Sequence, residues 1–221
     1  MRPIVFGATG MVGRGVLLEC LDDDGVEAVL AVGRRSCGLT HPKLQELLVD
    51  DLFELGSRVE ELRGYDACFY CLGVSSAGMS EADYRRVTYD LTVAAVDAVV
   101  AANPDVTVCF VSGQGTDGSA SGRVMWARVK GEAENHVRGL PVRSYMFRPG
   151  FIQPMRGVRS GVKLYQALYT ILGPVTPLLR RLFPGFVTTT VTVGRAMLRV
   201  VERGCPKEIL ETRDINDLGA G

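Results

Sequence analysis

The stretch "PIVFGATGMVGRGVLL", Pro3 to Leu18, decides the fold. Ile4, Val5 and Phe6 read as a short buried strand, and from Arg14 onward Val16, Leu17, Cys20 and Leu21 recur at helical spacing. Between the two lie Gly7, Gly10 and Gly13, each three residues from the next. Glycines at a strand-to-helix turn permit a tight bend, let the backbone approach a ligand and let the helix pack close to the strand. The helix start that follows offers unpaired N–H groups and the positive end of a dipole, which suits a pyrophosphate. The spacing predicts a dinucleotide cradle formed by Gly7, Thr9, Gly10, Met11, Val12 and Gly13.

Outward from this turn, apolar runs and helical periods alternate. Strands are expected near Ile4–Phe6, Ala28–Val32, Gln45–Val49, Asp66–Cys71, Val106–Val111, Ser144–Phe147 and Glu208–Glu211. Helices fit Arg14–Leu21, Phe53–Leu62, Glu81–Ala102, Arg123–Arg138, Lys163–Leu182 and Val193–Arg203. That order predicts an α/β fold, a doubly wound parallel sheet covered on both faces, with its ligand beyond the carboxyl ends of the strands. A single domain over 1–221 is expected, with a small substrate lobe from about residue 151 onward.

Composition narrows the function. The chain is 47% hydrophobic, with 25 basic and 25 acidic side chains and no net charge. No basic surface recommends nucleic acid as a partner. The first apolar segment is too short for a signal peptide, and six cysteines scattered through apolar segments suit buried thiols in a reducing cytoplasm. Cys68 and Cys71 form a C-x-x-C pair inside a predicted strand, where residues three apart point to opposite faces. With only His41 and His136 to support it, the pair predicts ordinary thiols and no metal site.

The second predicted strand, "EAVLAVGRR", ends where an adenosine ribose would sit. An NAD site places a carboxylate there, about 20 residues past the glycines. This chain presents Arg34, Arg35 and then Ser36. A guanidinium fork matches a phosphate, so the expected cofactor is NADP, with Arg34 the first candidate for its 2′-phosphate and Arg35 the second. "LLVDDLF" brings Asp50, Asp51 and Leu52 toward the adenine, and "CLGVSSAG" brings the backbone of Cys71, Leu72 and Gly73 to the adenosine side.

"GATGMVG", "VGRR", the Asp51-Leu52 pair, "VKGEAE", "FRPG" and "LETRDINDLG" together carry a family resemblance that runs over essentially the whole chain. The chain resembles the atypical short-chain dehydrogenase/reductases of the Tat-interacting-protein type, a branch of the NAD(P)-binding, epimerase-like superfamily. The resemblance implies a Rossmann fold and bound NADP(H). It also implies a tyrosine four residues before a lysine, the lysine lowering the phenol's pKa for proton transfer. Lys130 matches the lysine, whereas the tyrosine's place holds Trp126, a donor without acid–base chemistry. The reactive hydroxyl of the family falls at Ser112, or one or two residues later at Gly113 or Gln114. Tyr84, Tyr89, Tyr145, Tyr165 and Tyr169 are the substitutes available, and Thr88 stands where relatives often carry an asparagine.

Leu164 to Leu179 carries no charge, yet it is shorter than a bilayer span and interrupted by Gly173, Pro174 and Pro177. Two roles stay open for it: a lid over the substrate, or a surface for a partner or membrane. Two functions stay open likewise. One is an NADP(H) oxidoreductase acting on a small, fairly apolar carbonyl or alcohol at a site built from Lys130, Ser112 and Trp126. The other is a cofactor-responsive binding protein with little turnover that meets a protein partner or a second copy.

Overall fold

A computed structural model describes residues 1–158 and 185–220. The helix expected over 163–182, the apolar stretch 164–179, Tyr165 and Tyr169 lie outside these residues. The opening stretch forms β1 (Pro3–Phe6) and α1 (Met11–Asp22). There follow β2 (Val29–Gly33), β3 (Leu44–Leu48), a 3-10 segment (Leu52–Leu62) and β4 (Ala67–Tyr70). Next come α2 (Glu81–Arg85), a π turn (Arg86–Asp90), α3 (Leu91–Ala102), β5 (Thr107–Val111), α4 (Met125–Gly139) and β6 (Arg143–Arg148). The rest is β7 (Phe151–Gln153), β8 (Val187–Thr189), α5 (Thr190–Arg203), β9 (Ile209–Glu211) and α6 (Thr212–Gly219).

Seven strands pair in the order β3-β2-β1-β4-β5-β6-β9, all parallel. Strand alternation sorts the side chains into two cores. Ile4, Phe6, Cys68, Tyr70, Val108 and Phe110 face the 3-10 segment, α3 and α4. Val5, Phe69, Cys109 and Phe147 face α1, α5 and α6. Cys68 lies in the first core and Cys71 packs against the second, so the C-x-x-C thiols stand on opposite faces.

Every strand of the large sheet runs the same way, so Gly7, Arg34, Cys71, Ser112 and Pro149 leave the sheet along one edge, as a doubly wound fold requires. Helix α1 is held from outside by α5. Small residues let the two approach, since a Cβ on Gly194 would stand 3.2 Å from the Cα of Val16. Buried Glu19 of α1 pairs with Arg195 of α5 at 3.0 Å and with Arg156 at 3.0 Å.

Five elements differ from the sequence expectation. The helix expected over Phe53–Leu62 is 3-10 and breaks at Arg58, because Gly56 and Ser57 interrupt it and the Ser57 hydroxyl bonds the Glu54 carbonyl. The helix expected over Glu81–Ala102 widens into the π turn at its centre. Two short parallel strands, β7 and β8, pair apart from the main sheet. Helix α6 closes the described chain, capped by reciprocal bonds between Glu211 and Asp214.

Candidate cofactor pocket and active site

The glycine turn owes its shape to close contacts. Gly7 has φ +81°, and a Cβ there would lie 2.8 Å from the carbonyl oxygen of Cys71. A Cβ on Gly13 would meet the carbonyl oxygen of Gly7 far inside contact distance. Gly10 is less crowded, its nearest obstacle being that same oxygen at 3.3 Å. Helix α1 starts at Gly10 without a side-chain cap and without an acidic residue in its first turn. Its N–H groups are left for an anion.

A pocket opens along the carboxyl edge from this turn. Gly7 and Thr9 form its floor; Gly33, Arg34 and Arg35 one wall; Asp51, Leu52 and Phe53 another; Leu72 and Gly73 the far rim. A contiguous recess takes in Gly10, Arg14, Arg35 and Ser36. Met11, Val12 and Gly13 form the first turn of α1 behind it. Cys71 lies behind Gly7, its carbonyl against the turn. Asp51 lines the pocket but also caps the 3-10 segment, accepting from the N–H of Phe53 at 3.0 Å. Arg14, Cys37, Glu46, Val87 and Leu91 line these spaces too. Sequence reading missed them because α1, the loop after β2, β3, the π turn and the start of α3 bring them together only through tertiary packing.

Beyond Gly73 lies the catalytic half expected from the family. The Nζ of Lys130 would stand 4.0 Å from a Cβ on Gly73 and donates to the Ser112 carbonyl at 2.9 Å. Burial lowers Lys130 to about 8 against the attraction of Glu134. Trp126 sits in the first turn of α4, half-buried, its ring 3.4 Å from the Cβ position of Gly115.

Ser112, the expected reactive hydroxyl, is held by a buried carboxylate. Its Oγ donates to Glu134 at 2.5 Å, and Glu134 is 1% exposed. The proton is spent on that carboxylate, so the residue serves Lys130 through its carbonyl. Glu134 in turn holds Arg148 through two bonds of 2.9 Å and 2.5 Å. Arg148 approaches Glu211 at 3.6 Å, and the Gly150 N–H donates to the Thr212 hydroxyl at 2.9 Å. The three stretches "VKGEAE", "FRPG" and "LETRD" thus meet in one polar network behind Lys130.

Of the substitute tyrosines, Tyr84 is buried, and Tyr89 lies under the Arg85 guanidinium at 4.2 Å. The Tyr145 hydroxyl accepts from the Cys205 N–H at 3.1 Å, away from the pocket. Tyr84 and Tyr89 lie on α2 and the π turn, both of which pack against α4. Gln114 is drawn aside as well, toward Gly150 and Gly185. No helix among the described residues is long and apolar enough to cross a membrane, and they hold no group of three potential metal ligands.

A parallel sheet with a glycine turn at its carboxyl edge is a Rossmann-like fold. No family model matches the chain. It is similar to protein HTATIP2 of Rattus norvegicus, 28% identical over 225 residues, covering 97% of this chain and 88% of that protein. It is also similar to fmp52-2, mitochondrial, of Aspergillus oryzae, 30% identical over 151 residues, and to FMP52, mitochondrial, of Chaetomium globosum, 27% identical over 159 residues. The chain spans 66% and 67% of those two fungal proteins, respectively. Among solved structures, the Bordetella bronchiseptica enzyme WbmF in complex with NAD+ superposes with TM-score 0.67 at 14% identity, over 99% of this chain and 76% of that one. An oxidoreductase of the short-chain dehydrogenase/reductase family from Burkholderia thailandensis gives 0.66 at 18% identity, over 90% and 84%. The chain is thus similar in sequence to these proteins and shares the Rossmann-like fold of the two solved structures. The cytoplasmic setting expected from its cysteines is corrected here, because the fungal relatives are named mitochondrial proteins.

Proposed function

We propose that the chain binds NADP(H) and reduces or oxidises a small, fairly apolar carbonyl or alcohol. The observation that carries this reading is the pocket itself, which runs from the glycine cradle past Arg34 and Arg35 to Gly73, within reach of Lys130. Open glycine backbone and an uncapped helix start fit a pyrophosphate, and the two guanidiniums fit a 2′-phosphate. The nicotinamide, when bound, supplies or accepts a hydride. Lys130, pressed toward Gly73, would hold the nicotinamide ribose and present a positive charge beside the substrate oxygen. The network of Ser112, Glu134 and Arg148 fixes that lysine. In the reductive direction the alkoxide's proton would come from water, and in oxidation the alcohol's proton would pass to water, since Trp126 has no proton to exchange near neutral pH.

Trp126 favours a second reading, a binding protein that holds NADP(H) with little turnover. Titration with NADPH and NADH, followed by fluorescence of the reduced nicotinamide, tests the shared part. NADPH should bind more tightly, and Arg34→Ala should cost it about tenfold or more while sparing NADH. Equal affinities in the wild type would end the NADP assignment. A panel of aldehydes, ketones and quinones separates the enzyme from the binding protein.

A further inference from the structure

Glu46 is a carboxylate in the pocket wall, beside the arginine pair, that a plain phosphate clamp does not explain. It lies on the edge strand β3, in register with Ala31 of β2. Its side chain reaches the loop that leaves β2. One carboxylate oxygen accepts from the Ser36 hydroxyl at 2.8 Å, and the other accepts from the Cys37 N–H at 2.7 Å. Slight burial raises its pKa, but the bonds from Cys37 and Ser36 outweigh that and leave it below the ordinary value. The carboxylate is ionised at neutral pH. Arg14 ties the same loop from α1, donating to the Cys37 carbonyl at 2.5 Å.

A hydroxyl and a backbone N–H directly after an arginine pair are the donors that a 2′-phosphate would take. In this structure a carboxylate already holds both. We propose that Glu46 is a built-in anion that competes with the 2′-phosphate of NADP(H) for Ser36 and Cys37, and so limits the preference for NADP(H) over NAD(H). The inference rests on reading the pocket as an NADP(H) site. Its sense follows from chemistry. A phosphate can only accept, so it must displace Glu46 from its two donors and bear its charge nearby. The 2′-hydroxyl of NAD(H) can donate to the carboxylate and leave the loop as it stands.

The test is Glu46→Gln in the full chain, with NADPH and NADH titrated by nicotinamide fluorescence. Glutamine keeps the length and one acceptor, removes the charge and releases one loop donor. The ratio of NADPH to NADH affinity should rise about tenfold. The double variant Glu46→Gln with Ser36→Ala should give back part of that gain, since a freed donor is gone. An unchanged or falling ratio in a wild type that binds NADPH overturns the proposal alone. An equal change for both nucleotides also overturns it, by reducing Glu46 to a brace of the loop. Failure of the wild type to bind either nucleotide overturns the proposal together with the reading beneath it.

Discussion

At the scale of single residues, the proposed catalytic half of the site turns on Trp126. It stands one helical turn before Lys130, on the face of α4 that looks toward Gly115. A tyrosine there would feel the lysine's charge, which favours the phenolate. Trp126→Tyr should therefore raise turnover of generic carbonyls with NADPH, by up to about 100-fold, the lower end of what general acid catalysis contributes. NADPH affinity should stay as it is. Rapid wild-type turnover of any panel member would show that the proton comes from elsewhere and that the indole is no obstacle. The glycine turn makes a second residue-scale contrast. Gly10→Val meets only one oxygen at 3.3 Å, so the chain should fold and lose its cofactor. Sequence spacing treats Gly13 as equivalent. The structure does not, since a side chain there collides with the Gly7 backbone. Gly13→Val should lower the thermal transition as well as binding, and circular dichroism with calorimetry separates the two effects.

At the scale of elements, α4, β6 and α6 are joined by the ion pair of Glu134 and Arg148. Arg148 is 12% exposed and Glu134 1%, so neither charge has water to fall back on. Arg148→Met would leave the buried carboxylate with only Ser112 as donor and Lys130 as a nearby charge, so the loss should approach the low end of the range, about 3–5 kcal/mol, typical of a broken buried pair. Arg148→Lys should cost less, because one charged donor remains. Urea midpoints for the two variants check the order, and equal losses would mean that packing rather than charge holds the corner. How far such elements could be read in advance depended on where their reasons lie. The inner strands of the sheet were legible because each is a buried apolar run closed by a turn, and Lys130 because its helix carries a family pattern. The π turn was not legible, since it widens an otherwise regular helical period. Nor were β7 and β8, three residues each, which exist only as partners of one another. Glu46 escaped for a similar reason. An acidic residue on an edge strand looks solvated until the loop after β2 folds back onto it.

At the scale of the whole molecule, the buried thiols tie stability to pH. Desolvation pushes the thiols of Cys20, Cys68 and Cys109 up, Cys68 to about 12 from an ordinary 9.0. The folded chain keeps these protons when the unfolded chain has begun to lose them, so the stabilisation is complete below about pH 8.5 and declines as pH climbs toward 12. Lys130 acts in the opposite sense. Its folded value of about 8 lies under the ordinary 10.5, which adds stability as pH rises between the two. Three thiols outweigh one amine. The urea midpoint should be lower at pH 10 than at pH 7.5, measured with a reductant present. A midpoint that holds or rises would show that water reaches these sulfurs.

The clasp between α1 and α5 has a consequence for biosynthesis. The nucleotide cradle is written in the first fifteen residues, yet the helix that shapes it rests on Gly194 and Arg195, near the far end. The central strand β1 likewise waits for β4, more than sixty residues later, before it has both neighbours. A growing chain on the ribosome therefore carries an apolar, half-covered cradle until Gly194 and Arg195 have emerged from the exit tunnel. During that interval it is exposed to chaperones and to other nascent chains, and the nucleotide has no finished seat to occupy.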